Sequence, residues 1–281
     1  MNMGDQDGGS ASRESPLNLR GTATGSESDS NQADSAVGRS PQSLLEFSHV
    51  DASYGSYRAL FDVSFKVHDG SVVALLGANG AGKSTVARVA SGLVPTTKGT
   101  VEFAGRDVTR VRAWRIARLG MAHAPEGRSV FSTLSVEENL SLTFRQALGH
   151  RKVVDALGRA YEAFPRLGER RGQMAGTLSG GEQRMLALAK VLVVPQRLLI
   201  VDELSLGLAP AVVDDVFAAL RTIVAGGTAL LVVEQHVSRA LDIADQVVVL
   251  AKGRVIHDGP VDQLGDLVDT LLPGRPTPTG N

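Results

Sequence analysis

Large apolar side chains first appear in an alternating pattern. Leu45 and Phe47, and then Val63, Phe65 and Val67, are each separated by a single residue. Successive side chains of a strand point to opposite faces, so this period of two predicts half-buried strands. The pattern then changes. Val72 to Leu76 is an unbroken apolar run that ends in a glycine-rich turn, and Leu198 to Val201 and Ala229 to Val233 are runs of the same kind. Short continuous runs predict strands covered on both faces, as in the middle of a parallel sheet. Helix-forming segments lie between them, which gives an α/β architecture. From about 128 to 175 no comparable run occurs, and the stretch is expected to be a helical insertion within the larger domain. No internal repeat interrupts this order.

The two ends read differently. Residues 1 to 43 are rich in Ser, Gly, Asp and Asn and nearly free of large apolar side chains. Such a segment cannot bury enough surface to offset its ordering entropy, so a disordered tail is expected. Residues 273 to 281 form a second, short loose end. The folded domain is therefore expected to span 44 to 272.

Composition narrows the function. A chain of 281 residues with 43% hydrophobic and 21% charged residues suits a globular protein with a substantial core. The formal net charge of −1 gives no basic surface for nucleic acid, and the lack of cysteine excludes a disulfide framework and a thiolate metal site. No apolar run approaches the roughly 18 residues of a membrane span, and the N-terminus lacks a signal-peptide pattern. The expectation is a cytoplasmic protein that reaches a membrane only through a partner.

Chemistry enters at Gly77-Ala78-Asn79-Gly80-Ala81-Gly82-Lys83-Ser84-Thr85, which fits the P-loop pattern of glycine, four residues, then Gly-Lys-Ser. A buried strand precedes it and a helix-forming stretch follows. Glycines let successive backbone N–H groups converge on phosphate oxygens, and the helix N-terminus adds its positive dipole end. Lys83 is expected to reach the β- and γ-phosphates of ATP, and Ser84 to meet Mg²⁺. The run Leu198 to Val201 leads into Asp202 and Glu203. Asp202 is thereby placed for the Mg²⁺ shell, and Glu203 to polarise a water for in-line attack.

Leu178-Ser179-Gly180-Gly181-Glu182-Gln183 separates this site from other P-loop sites. Ser179 is placed as a helix N-cap, the two glycines leave the helix start open to an anion, and the helix should run to about Val194, before Pro195. The sequence resembles the signature of ABC ATPases, and the resemblance extends over nearly all of 44 to 270. It implies a P-loop NTPase fold, the ABC nucleotide-binding domain, with an antiparallel β subdomain and a helical subdomain. It also implies that Ser179, Gly180, Gly181 and Glu182 close over ATP held by the P-loop of another subunit. Tyr54 matches the aromatic residue that stacks on adenine.

Several positions depart from the general family pattern. Glu126, in Ala124-Pro125-Glu126-Gly127-Arg128, stands where a glutamine usually links nucleotide, Mg²⁺ and membrane subunits; a carboxylate can approach the metal but cannot donate an amide hydrogen bond. Leu204 replaces the proline after the catalytic glutamate, and Ala209 replaces an aspartate that makes a cross-dimer contact. Counting back from Ala244-Asp245 puts Gln235 at the switch position, with His236 one residue later. Pro-Glu-Gly-Arg, Val136 to Leu140, Ser205 to Pro210 and the Glu-Gln pair together resemble the ATPases of branched-chain amino-acid importers. That resemblance implies two permease subunits, a second ABC ATPase, an extracytoplasmic solute-binding protein and a place on the cytoplasmic face of the membrane. A soluble non-transport ABC protein and a low-turnover ATP-sensing module remain as alternatives.

Overall fold

The computed structural model describes residues 43–124, 130–203, 208–234 and 237–264. Residues 1–42 of the expected N-terminal tail, the whole expected C-terminal tail, Glu126, Leu204, Gln235 and His236 lie outside the described residues. The first strands are β1 (Ser43–Tyr54) and β2 (Tyr57–His68), followed by β3 (Val72–Leu76) and the helix α1 (Lys83–Ala90). Strands β4 (Thr96–Phe103) and β5 (Arg106–Asp107), helix α2 (Ala113–Arg118) and strand β6 (Met121–Ala124) come next. Three helices then follow one another: α3 (Val136–Leu148), α4 (Val153–Ala163) and α5 (Pro165–Glu169). The remainder is α6 (Gly180–Leu192), β7 (Leu198–Asp202), α7 (Pro210–Ala225), β8 (Ala229–Val233), α8 (Val237–Leu241), β9 (Gln246–Ala251) and β10 (Arg254–Pro260).

These strands build two sheets, in the orders β2-β1-β4-β5 and β10-β9-β3-β8-β7-β6. The first is antiparallel; in the second, β9, β3, β8, β7 and β6 are parallel and β10 is antiparallel. The three unbroken apolar runs of the sequence are β3, β8 and β7, side by side. The alternation in β1 and β2 pairs Phe47 opposite Phe65, with ring centroids 4.8 Å apart. Ser43, assigned by its composition to the tail, opens β1 because its backbone pairs with His68.

Period two survives inside the buried strands and divides the core. Val72, Ala74 and Leu76 face one side with Phe144, Phe217 and Leu186, contributed by α3, α7 and α6. Val73 and Leu75 face the other, with Val86 and Ala90 of α1 and Phe47 and Phe65 of the antiparallel sheet. Each face of the central sheet is thus covered, which is the condition for an all-apolar strand. No described helix is long and apolar enough to cross a membrane.

Helix α6 ends at Leu192, two residues short of the expected Val194. Val193 is its C-cap, and Val194 N donates to Val191 O at 3.3 Å in a tighter last turn, so Pro195 stands beyond the helix rather than at its end. The expected apolar face holds: Met185, Leu188 and Leu192 are buried.

Candidate nucleotide-binding site

The carboxyl ends of β3, β8 and β7 converge because these strands are neighbours in register: Leu75 lies opposite Val233, and Val233 opposite Asp202. Open α/β sheets bind ligands at this edge. The P-loop leaves β3 here. Gly77 and Gly82 have φ of 150° and 108°. A Cβ on Gly77 would lie 2.3 Å from Leu250 O, and one on Gly82 would lie 2.9 Å from Leu60 Cδ2. Only glycine fits either position. Ala78, Asn79 and Gly80 are exposed at the tip of the loop, while Ala81 is buried beneath it and accepts a hydrogen bond from Gly253 N at 2.8 Å.

Gly82 is also the N-cap of α1, and no side chain caps this helix. Its first N–H groups are left for an anion. Thr85 lies in this first turn, buried. Lys83 is buried as well and folds back over the loop, its Nζ donating to Gly77 O at 2.9 Å and Ala78 O at 3.2 Å. Burial pulls its ammonium below the usual lysine range, against the opposing charges of Glu203, Asp202 and Glu234. Ser84 Oγ donates to Asp202 Oδ1 at 3.1 Å. Asp202 itself is 1% exposed.

Glu203 has φ of 50°, a left-handed conformation that costs a residue with a Cβ roughly 1–2 kcal/mol. Two bonds hold it there: its N–H donates to Val233 O at 2.8 Å, and its carbonyl accepts from Arg184 Nη2 on α6. The side chain thereby leaves the line of β7 and borders a cleft of about 200 Å³ together with Lys83, Ser84, Thr85, Tyr54 and Tyr57.

Tyr54 is 42% exposed, and Arg88 Nη1 lies 3.4 Å from its hydroxyl. Tyr57 was not singled out by sequence. The two-residue turn Gly55-Ser56 makes Tyr54 and Tyr57 a cross-strand pair on one face of the hairpin, a relationship readable from the spacing alone. Arg184 and Arg170 had no sequence signal, since each acts on a residue far along the chain.

Ser179, Gly180, Gly181 and Glu182 do not line this cleft. Ser179 is the N-cap of α6, in a capping box with Glu182: Glu182 N donates to Ser179 Oγ at 3.3 Å, and Ser179 N to Glu182 Oε2 at 2.9 Å. Glu182 is buried, so its carboxylate serves the cap, while Ser179 and Gly180 are exposed. The chain therefore presents a phosphate-binding loop with two carboxylates in one place and a second, separate helix N-terminus elsewhere.

A further cleft, about 490 Å³, lies beside the end of β6 between α2, α3 and α6, lined by Leu93, Trp114, Ile116, His123, Lys190 and Val194 among others.

Residues 60–205 match the family model described as ABC transporter. The chain is 41% identical over 218 residues to a high-affinity branched-chain amino acid transport ATP-binding protein, BraG, of Pseudomonas aeruginosa, covering 76% of this chain and 92% of that one. It is 35% identical over 222 residues to a probable branched-chain amino acid transport ATP-binding protein, LivF, of Archaeoglobus fulgidus, covering 79% and 94%. Among solved structures, the ATP-binding subunit of an ABC transporter superposes with a TM-score of 0.71 at 27% identity, covering 81% and 92%. With the P-loop, the carboxylates at the end of β7 and the Ser179-capped helix α6 in place, the chain belongs to the ABC transporter family as one of its ATP-binding subunits.

Proposed function

We propose that this ATPase powers import of branched-chain amino acids or related small solutes from the cytoplasmic face of a membrane. Two permease chains, a second ABC ATPase and an extracytoplasmic solute-binding protein complete the assembly. The observation behind the catalytic half of this reading is the convergence of Lys83, Ser84, Asp202 and Glu203 at the ends of β3 and β7. The solute class rests on the likeness to the two branched-chain amino acid proteins.

ATP would lie along the P-loop, with Gly77 and Asn79 to Thr85 around its phosphates and Tyr54 against adenine. Lys83 would turn from the Gly77 and Ala78 carbonyls to the β- and γ-phosphates. Ser84 Oγ and Asp202 Oδ1, two hard oxygen donors 3.1 Å apart, suit Mg²⁺, which keeps its other positions for phosphate and water. That ion would neutralise charge on the phosphates. Glu203 would take the proton of a water attacking the γ-phosphorus, as the bond to ADP breaks. Glu126 and Gln235 are assigned to the metal shell and the switch by resemblance only. Ser179 and Gly180, exposed and outside this cleft, would meet the nucleotide of the partner ATPase.

The cleft beside β6 is the place for a permease segment. Its lining is mostly apolar, and α2, which lends it Ala113, Trp114, Ile116 and Ala117, also carries the exposed Arg115 and Arg118, with exposed Arg112 at its N-cap. The guanidiniums of Arg115 and Arg118 lie 5.1 and 5.0 Å from the Trp114 ring. An apolar segment with carboxylates at its edges would match it.

The test is purification of tagged protein from native membranes in mild detergent, followed by mass spectrometry. Two permeases and a second ATPase are the expected companions. Recovery of the chain alone, or with soluble partners only, would overturn the transport reading in favour of a soluble ABC protein or an ATP sensor.

A further inference from the structure

A path of polar contacts runs from the helices of residues 136–169 into the start of α6. Arg170, the C-cap of α5, places Nε 2.9 Å from Glu182 Oε1, and its Nη1 donates to Gln173 Oε1 at 3.0 Å. Glu182 in turn holds Ser179 through the capping box. The segment after Arg170 is itself pinned, because Val136 N and Glu137 N, at the start of α3, donate to Gln173 O and Arg171 O at 3.0 Å each. Ser179 therefore stands at the end of a continuous line that begins at α3.

The charge on Glu182 makes this line more than a brace. A carboxylate in the first turn of a helix is favoured by the helix dipole. Here the same helix end is the part assigned to a triphosphate, and two anions at one N-terminus compete for its donors. Burial pushes the Glu182 carboxyl up, but hydrogen bonds from the Ser179 backbone and hydroxyl, with the charges of Arg170 and Arg166, more than offset this and hold it ionised. Glu182 is 7% exposed and cannot turn to solvent without undoing the cap. Arg170 is the cation within ion-pair distance of it among the described residues.

We propose that Arg170 is a positioning residue for ATP-driven dimer closure: by neutralising Glu182 it leaves the Ser179 end of α6 able to accept the γ-phosphate held by a partner ATPase. The proposal rests on the composite-site reading above. Loss of the guanidinium would leave a buried carboxylate with no ion-pair partner and only the more distant charge of Arg166 to offset it, facing the incoming phosphate.

The test uses the full chain carrying Glu203→Gln, alone or with the ATPase it purifies with. Sedimentation reads ATP-driven association, and a fluorescent ATP analogue reads binding to the separate chain. Arg170→Ala should weaken association roughly three- to thirtyfold while leaving nucleotide binding at the chain's own P-loop unchanged. Arg170→Lys should recover part of the loss. Arg170→Ala combined with Glu182→Gln should recover most of it, because the second change removes the charge left without its partner. A merely structural role would show the loss and the rescue equally in the urea denaturation of the separate chain without ATP, whereas positioning shows them in ATP-driven association beyond any change in stability. Association by Arg170→Ala as tight as with Arg170 present, or no rescue by the double variant, would overturn the proposal. No ATP-driven association with Arg170 intact would instead overturn the composite-site reading, and the role of Arg170 with it.

Discussion

Ser84 Oγ donates a hydrogen bond to Asp202 Oδ1 at 3.1 Å, joining positions 118 residues apart. The bond exists because β8 pairs with both β3 and β7 and so sets their carboxyl ends a fixed distance apart. It also fixes the two oxygens that would share a divalent cation. Asp202→Asn keeps the size and an acceptor for Ser84 but removes the charge. Mg²⁺-dependent ATP turnover by the assembled transporter should fall at least about a hundredfold, with the fold retained. Turnover within a few fold of the unsubstituted protein would remove Asp202 from the metal's shell.

Glu203 differs from Asp202 in being held out of the strand line by Val233 and Arg184. Strain of this kind persists where surrounding structure enforces it, and here it turns one carboxylate toward the cleft. Glu203→Gln should reduce turnover by roughly 10²–10⁴ while ATP binding survives, and ATP should then trap a stable dimer. Single-turnover hydrolysis and sedimentation would read the two effects. The chain on its own should turn over ATP slowly, because in the composite-site reading one subunit supplies only half of each site: Ser179 lies outside the cleft that Lys83 and Glu203 line. Unchanged hydrolysis by the glutamine variant would exclude Glu203 as the base.

Two glycines of the P-loop separate backbone strain from steric exclusion. Gly80 has φ of 76° with nothing within 4 Å of a built Cβ, whereas Gly82 has φ of 108° and its Cβ would meet Leu60 Cδ2 at 2.9 Å and Ala59 O at 3.1 Å. Gly80→Ala should therefore cost only the left-handed penalty of about 1–2 kcal/mol. Gly82→Ala adds overpacking, typically about 1–3 kcal/mol more, and should disturb the start of α1 and with it phosphate binding. Urea denaturation and nucleotide titration of both variants would check this order. Equal costs would mean that β2 yields to the added methyl.

What could be read from the sequence was local. The P-loop, the carboxylates at the end of β7 and the Ser179 cap each follow from residues within a few positions, and continuous apolar runs marked β3, β7 and β8. The position of β9 between β10 and β3 could not be read in this way, since neighbours in a parallel sheet are set by crossovers rather than by strand sequence. Strand β6 carried no signal: Met121–Ala124 is four residues at the sheet edge with His123 in its middle. Arg170 and Arg184 carried no signal in the sequence, because only the fold brings Glu182 and the Glu203 carbonyl to them. Tyr57 was legible in principle, because a two-residue turn puts it opposite Tyr54.

His123 gives a pH dependence whose sign follows from its hydrogen bonds. Ser91 Oγ donates to Ala87 O at 2.8 Å, which uses its one proton. Its 3.0 Å contact with His123 Nδ1 then requires the histidine to be the donor, and Nε2 is left as a buried acceptor with no hydrogen-bond partner among the described residues. Burial, aided by the charge of Arg88, holds this imidazole at about 4, against an ordinary 6.5. Below about 6.5 the unfolded chain takes up a proton that the folded chain refuses until about 4. The contribution to stability is therefore intact above 6.5, declines as pH falls through that window and is lost below 4, by on the order of 3 kcal/mol. Comparing the protein with its His123→Gln variant by chemical denaturation at several pH values cancels the carboxylates common to both. The stability difference should move against the histidine form between pH 6.5 and 4; parallel curves would mean that water reaches Nε2 and the imidazole titrates as an exposed one.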